Sequence, residues 1–209
     1  MLDNYKILTI THHNLNVDEI GHFVVHHEGS EELKSKLIQL KEQTHLEELI
    51  YLSTCNRVGF ICYSNEEFDL DYIKNFFKVV NPELDEEKLK KINNFVDVYQ
   101  GSAAVSHLYE VAASMDSLVV GEREIFRQFR EAYARSIEFG LVGDNLRMLE
   151  NSTVKAAKEV YEKTKIGEKP LSIVSLAVQS LLNTGIAKDA RLLIVGAGET
   201  NTLFAKFLK

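Results

Sequence analysis

The stretch Leu49-Ile50-Tyr51-Leu52-Ser53-Thr54-Cys55-Asn56-Arg57-Val58-Gly59-Phe60-Ile61-Cys62-Tyr63 reads as two apolar strands, Leu49 to Ser53 and Val58 to Tyr63, joined by the polar connection Thr54 to Arg57. Short runs of β-branched and aromatic residues split by small polar ones carry that signal. On the amino side, Tyr5 to Thr11 is another strand-length run. A helical stretch from Ser30 to about Glu42 follows, with Ser30 as its expected N-cap and Leu33, Leu37 and Leu40 on one face. On the carboxyl side, Leu70 to Val80 with Phe76 and Phe77 predicts a second helix, and Phe95 to Tyr99 a fourth strand. The order βαββαβ predicts a mixed α/β (α+β) fold, a ferredoxin-like sandwich whose antiparallel sheet packs helices on one face.

From Ser102 the pattern turns helical. Ala104, Val105, Leu108, Val111, Ala112 and Met115 form an apolar stripe, and Glu122 to Phe139 predicts a second helix ended by Gly140. Asp144 is the expected N-cap of a third helix running to about Lys165, after which Gly167 to Pro170 breaks the chain. A further helix, Ser172 to Asn183, precedes Ala190 to Val195, read as a buried strand running into the turn Gly196-Ala197-Gly198. The expected division is 1–100, a ferredoxin-like subdomain; 101–168, a helical subdomain completing the same domain; and 169–209, the first helix and strand of a Rossmann-type domain.

Composition agrees with a globular protein. In 209 residues, 45% are hydrophobic and 26% charged, enough apolar side chains to exclude disorder, and only two prolines occur, which disfavours an all-β sandwich. The net charge is −7, with ten basic and eighteen acidic groups in residues 1–100 against ten and eight in 123–169, so bulk charge gives the amino half no affinity for nucleic acid. Neither a signal peptide nor an apolar run long enough to span a bilayer is present, and the two cysteines are poorly placed for a disulfide, so a cytoplasmic, reducing setting is expected.

Four groups of residues could carry chemistry. Cys55 lies on a polar connection beside Arg57, surroundings that favour a nucleophilic thiolate, although an inert cysteine has the same spacing; Cys62 sits inside an apolar run. Gly196-Ala197-Gly198 after an apolar run resembles the phosphate turn of a dinucleotide site, with Asn201 in place of the third glycine, or else is a tight turn with no ligand. The acidic ribose-binding residue expected about twenty positions on would lie past Lys209, so the chain is read as a fragment with an incomplete cofactor site. The histidine pairs His12-His13 and His26-His27, with His22, lack any zinc-type spacing, and no metal is expected. Arg123, Arg127 and Arg130 form a helical stripe that could meet phosphates, or an ion-paired solvated face.

Taken in order, Ser53-Thr54-Cys55-Asn56-Arg57, then His107-Leu108-Tyr109 through Asp116-Ser117-Leu118-Val119-Val120-Gly121-Glu122, then Gly196-Ala197-Gly198-Glu199 resemble the glutamyl-tRNA reductase family over nearly the whole chain. The resemblance implies NADPH-dependent reduction of glutamyl-tRNA to glutamate-1-semialdehyde through a Cys55 thioester, in tetrapyrrole biosynthesis. By similarity Arg57 holds the substrate carboxylate, Thr54, Asn56, Ser117, Glu122, Glu124 and Gln128 line the substrate pocket, and His107 polarises or handles a proton. Gly196, Ala197, Gly198, Glu199 and Thr200 would contact NADPH. The family also implies a homodimer formed through another domain and a downstream aminomutase that receives the aldehyde; no membrane is involved. Three positions depart from the family pattern: Gly59 replaces an acidic residue, and the family's Gly-Glu-Pro-Gln becomes Gly121-Glu122-Arg123-Glu124, in which Arg123 replaces the proline and Glu124 a neutral amide, a carboxylate that would repel substrate unless paired with arginine. The competing reading is a binding or scaffold domain that keeps the fold and does no chemistry.

Overall fold

A computed structural model describes residues 2–117, 119–167, 173–187 and 190–208. Leu118 of the family-like motif, most of the expected break at 167–170 and the expected helix start at Ser172 lie outside the described residues. Four strands, β1 (Tyr5–Thr11), β2 (Glu48–Ser53), β3 (Arg57–Tyr63) and β4 (Asp97–Gln100), form one sheet in the order β2-β3-β1-β4. Every pairing is antiparallel, with Tyr5 opposite Tyr63, Thr11 opposite Arg57, Thr9 opposite Asp97 and Ser53 opposite Val58. The helices are α1 (Val17–Ile20), α2 (Ser30–Gln43), α3 (Leu70–Val80), α4 (Glu86–Lys90), α5 (Ser102–Ala112), α6 (Glu124–Glu138), α7 (Asp144–Lys163), α8 (Ile173–Asn183) and α9 (Glu199–Phe207).

The period-2 alternation of strand side chains divides the core in two. Leu8, Ile10, Leu49, Tyr51, Val58, Phe60 and Cys62 point to one face and are covered by α2 and α3, through Leu33, Leu37, Leu40, Phe76 and Phe77. Ile7, Ile50, Leu52 and Ile61 point to the other face, against Leu108 and Val111 of α5, Phe129 of α6, and Leu146 and Leu149 of α7. Helices on one face were expected; the structure covers both. This is why all seven residues of β1 are buried, polar Lys6, Thr9 and Thr11 included.

Several local expectations shift. Ser30 and Asp144 are the first residues of their helices rather than caps; Gly29 and Gly143 precede them and give no side-chain bond. The start of α7 is capped from the sheet. Buried Glu48 accepts from the amides of Gly143 (2.8 Å), Asn145 (3.1 Å) and Leu146 (2.8 Å) and from Asn145 Nδ2 (2.8 Å). A carboxylate there satisfies the orphan amides of the first turn and complements the helix dipole. Glu48→Ala leaves those amides buried without a partner, and is expected to lower stability by about 3 kcal/mol, read as a Tm lower by roughly 6 to 12 °C; an unchanged Tm removes Glu48 from the cap.

The fourth strand starts at Asp97, not Phe95, and α6 starts at Glu124, not Glu122. Met115, expected inward, is exposed because α5 ends at Ala112. The largest departure is Ala190 to Val195. It is neither strand nor buried: Leu193 is 89% and Val195 82% exposed. An apolar run becomes a strand only where a partner edge completes its hydrogen bonds, and this run pairs with no strand of the sheet described above.

Candidate active site

The connection between β2 and β3 is three residues, Thr54, Cys55 and Asn56. Thr54 N donates to Arg57 O (2.8 Å), Asn56 N to Thr54 Oγ1 (3.3 Å), and His12 N to Asn56 O (3.1 Å), which ties the turn to the end of β1. Both cysteines are free; Cys55 is exposed on this turn, whereas Cys62 is buried and burial pushes its thiol pKa up.

Arg57, the first residue of β3, lies on the sheet face that α5 covers, and only 6% of its side chain is exposed. Its Nη2 donates twice to Asp116, to the backbone O (2.7 Å) and to Oδ2 (2.8 Å), while Nη1 is buried without a partner. Burial alone would raise the Asp116 carboxyl, but the charge and hydrogen bond of Arg57 outweigh it and hold Asp116 below the usual carboxylate range. An unpartnered buried guanidinium nitrogen is a costly feature that a bound anion would relieve.

The segment that carries Asp116 is held from α7. Ser114, at φ +58°, donates its hydroxyl to Glu122 O and shares a hydrogen bond with Tyr161 (2.6 Å). Gly121 has φ +86°, and a Cβ there would lie 2.1 Å from Ile166 O, so no other residue fits.

A cleft of about 960 Å³ gathers most of the residues singled out from sequence. Thr54, Cys55, Asn56 and Arg57 enter it from the sheet, Ser117 and Glu122 from the segment after α5, and Glu124 and Gln128 from α6. Ala197, Glu199 and Thr200 come from the glycine turn and α9; Gly196 and Gly198 do not line it. Glu124 accepts from Arg127 Nε (3.0 Å) and Gln128 Nε2 (3.0 Å), so the carboxylate that replaces the family's amide is paired with an arginine. Burial, with Glu124 adding to it, raises Glu122. The arginine stripe is spent internally: Arg127 on Glu124 and Glu131, Arg130 on Glu150, and Arg123 over the ring of Tyr161. Gly59 lies in the middle of β3, where a Cβ would make ordinary contacts with Thr9 Oγ1 (3.9 Å) and Leu52 Cβ (4.0 Å); the carboxylate beside Arg57 comes from Asp116 instead.

His107 is not in this cleft. It lines a second cavity of about 390 Å³ together with Asp97, Tyr99 and Glu110, and Asp116 borders both. Its Nδ1 is 3.9 Å from Asp116 Oδ2, too far for a hydrogen bond, and its ring stacks on Tyr99 at 3.9 Å. Burial, and then the positive charge of Arg57, push its pKa down to about 4 from 6.5, so it is neutral at neutral pH. A histidine held neutral takes its proton in the unfolded chain first. Stability from this group is therefore full above pH 6.5 and declines as pH falls toward 4, whereas the Asp116 contribution is lost only below the ordinary Asp value of 3.8. His107→Phe keeps the stack and removes the titration. It is expected to flatten the acid side of the urea stability profile by up to about 3 kcal/mol, and parallel profiles for the two proteins would rule out the buried neutral state.

Sequence reasoning gave Asp116 no role although it lies in the quoted motif; no local pattern pairs it with Arg57. His12 and Lys206, also in the cleft, had no signal beyond their residue type.

A family model described as the N-terminal domain of glutamyl-tRNAGlu reductase matches residues 8–164. The glutamyl-tRNA reductase of Aquifex aeolicus is 36% identical over 181 residues, 86% of this chain and 43% of that protein. That of Sulfurisphaera tokodaii is 31% identical over 212 residues, 100% of this chain and 47% of that protein. Among solved structures, glutamyl-tRNA reductase from Methanopyrus kandleri matches with a TM-score of 0.68 at 27% identity, over 99% of this chain and 46% of that one. The chain spans a little under half the length of the curated relatives it matches.

Proposed function

The chain belongs to the glutamyl-tRNA reductase N-terminal domain family, and from that premise we propose that it carries the thioester-forming step in the reduction of glutamyl-tRNA to glutamate-1-semialdehyde, in tetrapyrrole biosynthesis. The observation that carries the reading is one cleft lined by an exposed thiol residue, Cys55, and by Arg57, whose buried Nη1 has no partner. In glutamyl-tRNA the α-carboxyl is esterified to ribose, so the side-chain carboxylate is the one anion of the glutamyl group, and Arg57 Nη1 is the group to receive it. The Cys55 thiolate attacks the ester carbonyl. A C–S bond forms, the C–O bond to ribose breaks, and the departing ribose oxygen takes a proton from water, leaving a glutamyl thioester on Cys55.

Thr54, Asn56, Ser117 and Gln128 offer polar atoms around that carbonyl and side chain. Glu124 does not oppose the substrate because Arg127 neutralises it, and the raised pKa of Glu122 weakens its repulsion. His107 stands behind Asp116 as a neutral ring, and we assign it support of that wall in place of contact with the ester.

The glycine turn fits the phosphate end of a dinucleotide. Gly196 has φ +103°, Gly198 precedes α9 as its N-cap residue, with open space at its Cβ position and no side-chain bond, and Asn201 Nδ2 closes the turn onto Val195 O (2.7 Å). The first-turn amides of α9 would hold the phosphates, beside Ala197, Glu199 and Thr200. Reduction of the thioester to the aldehyde, with hydride supplied by NADPH when bound, returns the Cys55 thiolate. We also read the β2-β3-β1-β4 antiparallel order as ferredoxin-like, residues 173–208 as the beginning of a Rossmann-type unit, and the working protein as a cytoplasmic homodimer that hands its aldehyde to an aminomutase.

The test is to mix the chain with glutamyl-tRNA without NADPH, quench, and map adducts by mass. A glutamyl adduct on the peptide bearing Cys55, followed by slow release of free glutamate, is expected. Intact glutamyl-tRNA with an unmodified Cys55 would leave the domain a binding module.

A further inference from the structure

Arg57 is held in an unusual way. A guanidinium carries five N–H groups in one rigid plane. Both N–H groups of Nη2 are taken by a single residue, Asp116, one by its backbone carbonyl at 2.7 Å and one by its carboxylate at 2.8 Å. Two acceptors from one residue fix both the plane of the guanidinium and its rotation within that plane. Nη1 is then left buried with two N–H groups and no partner, in a residue that lines the cleft containing Cys55.

We propose that Asp116 is the positioning residue of this site: it clamps Nη2 so that Nη1 alone faces the substrate, which makes Arg57 a preset reader of a carboxylate. The proposal rests on the glutamyl-ester reading above and adds how the acid is told from its amide. An N–H of Nη1 that meets a carboxylate oxygen makes a charge-assisted hydrogen bond inside a buried site, whereas the neutral oxygen of a carboxamide leaves the guanidinium charge uncompensated. Presetting the fork also removes the cost of ordering a long side chain at the moment of binding.

Two further observations bear on the clamp. The carbonyl half of it depends on the flanking backbone, in which Ser114, bonded to Tyr161, and Gly121, against Ile166, both have positive φ. Two imidazoles also approach Asp116, neither as closely as Arg57: His107, a neutral ring stacked on Tyr99, at 3.9 Å, and His13, whose side chain is largely exposed, at 3.7 Å.

The test compares Asp116→Ala and Asp116→Asn in this chain. For glutamate release from glutamyl-tRNA, Asp116→Ala is expected to raise KM at least ~tenfold while kcat changes by less than ~threefold. Asp116→Asn, which keeps an oxygen acceptor and the backbone carbonyl, should recover at least ~threefold of that loss. Iodoacetamide should label Cys55 equally fast in both. Independently of activity, nitrogen-15 spectra should resolve the Arg57 Nη2 hydrogens with restricted rotation in the parent chain, and average them in Asp116→Ala. An unchanged KM, a parallel loss of kcat, an Asn variant as impaired as the Ala variant, or Nη2 signals already averaged in the parent chain overturns the clamp. If Asp116→Ala does not fold, the Asn variant decides: restrained Nη2 signals support the clamp and averaged ones overturn it. A parent chain that shows the restrained Nη2 signals but never acquires a glutamyl group would sink the ester reading and leave the clamp standing.

Discussion

Cys55→Ser is expected to abolish release of glutamate from glutamyl-tRNA, a fall of ~10³-fold or more in kcat. A serine hydroxyl at neutral pH is not ionised and is a far weaker nucleophile than a thiolate, and the buried neutral histidine, His107, lies in the other cavity, behind Asp116. Cys62 cannot take over. It is wholly buried against α3, with its pKa raised by burial and Lys6 acting only weakly against that. Labelling with iodoacetamide should therefore modify Cys55 long before Cys62 in the folded chain, and the Cys55→Ser variant should unfold at the temperature of the parent. Release that survives in Cys55→Ser, or first labelling at Cys62, would show that the turn thiol is not the nucleophile.

Arg57→Lys keeps the charge and loses the fork. One ammonium cannot hold the Asp116 carbonyl and carboxylate and also face the cleft, so the substrate carboxylate loses a charged hydrogen bond worth about 1.5 to 3 kcal/mol. That corresponds to a drop of roughly 10- to 150-fold in kcat/KM for glutamate release. The rate of Cys55 alkylation should stay as it is, because the alkylating agent has no carboxylate to be read. An equal loss in both assays would mean that the arginine supports the fold of the turn instead, and no loss in either would remove Arg57 from the pocket.

Much of this was legible in the residues. β1 runs from Tyr5 to Thr11 as its composition says, α3 from Leu70 to Val80 likewise, and β2 and β3 each differ from expectation by one residue at the start. Cys55 on a polar turn and Cys62 inside an apolar run separated the exposed thiol from the buried one before any coordinates. These are local properties, and periodicity over five to fifteen residues carries them. Ala190 to Val195 shows where that reading stops: its composition favours a strand, but pairing is a property of two segments, and here the second is not present in the sheet.

The sequence by itself determined the order of the four strands and of the helices α2, α3, α5, α6 and α7 among them, the alternation that gives the sheet two apolar faces, and the residue types on the β2–β3 turn. Only the tertiary structure decided that both faces are covered, that Glu48 caps a helix beginning some ninety-five positions later in the chain, and that Asp116 closes on Arg57 across a separation of 59 residues. The physical reason is the same in each case. A buried carboxylate needs donors, and a buried guanidinium needs acceptors, but neither need specifies where along the chain the partner lies. That choice follows from which side chains the packed sheet and helices bring within three ångströms of each other.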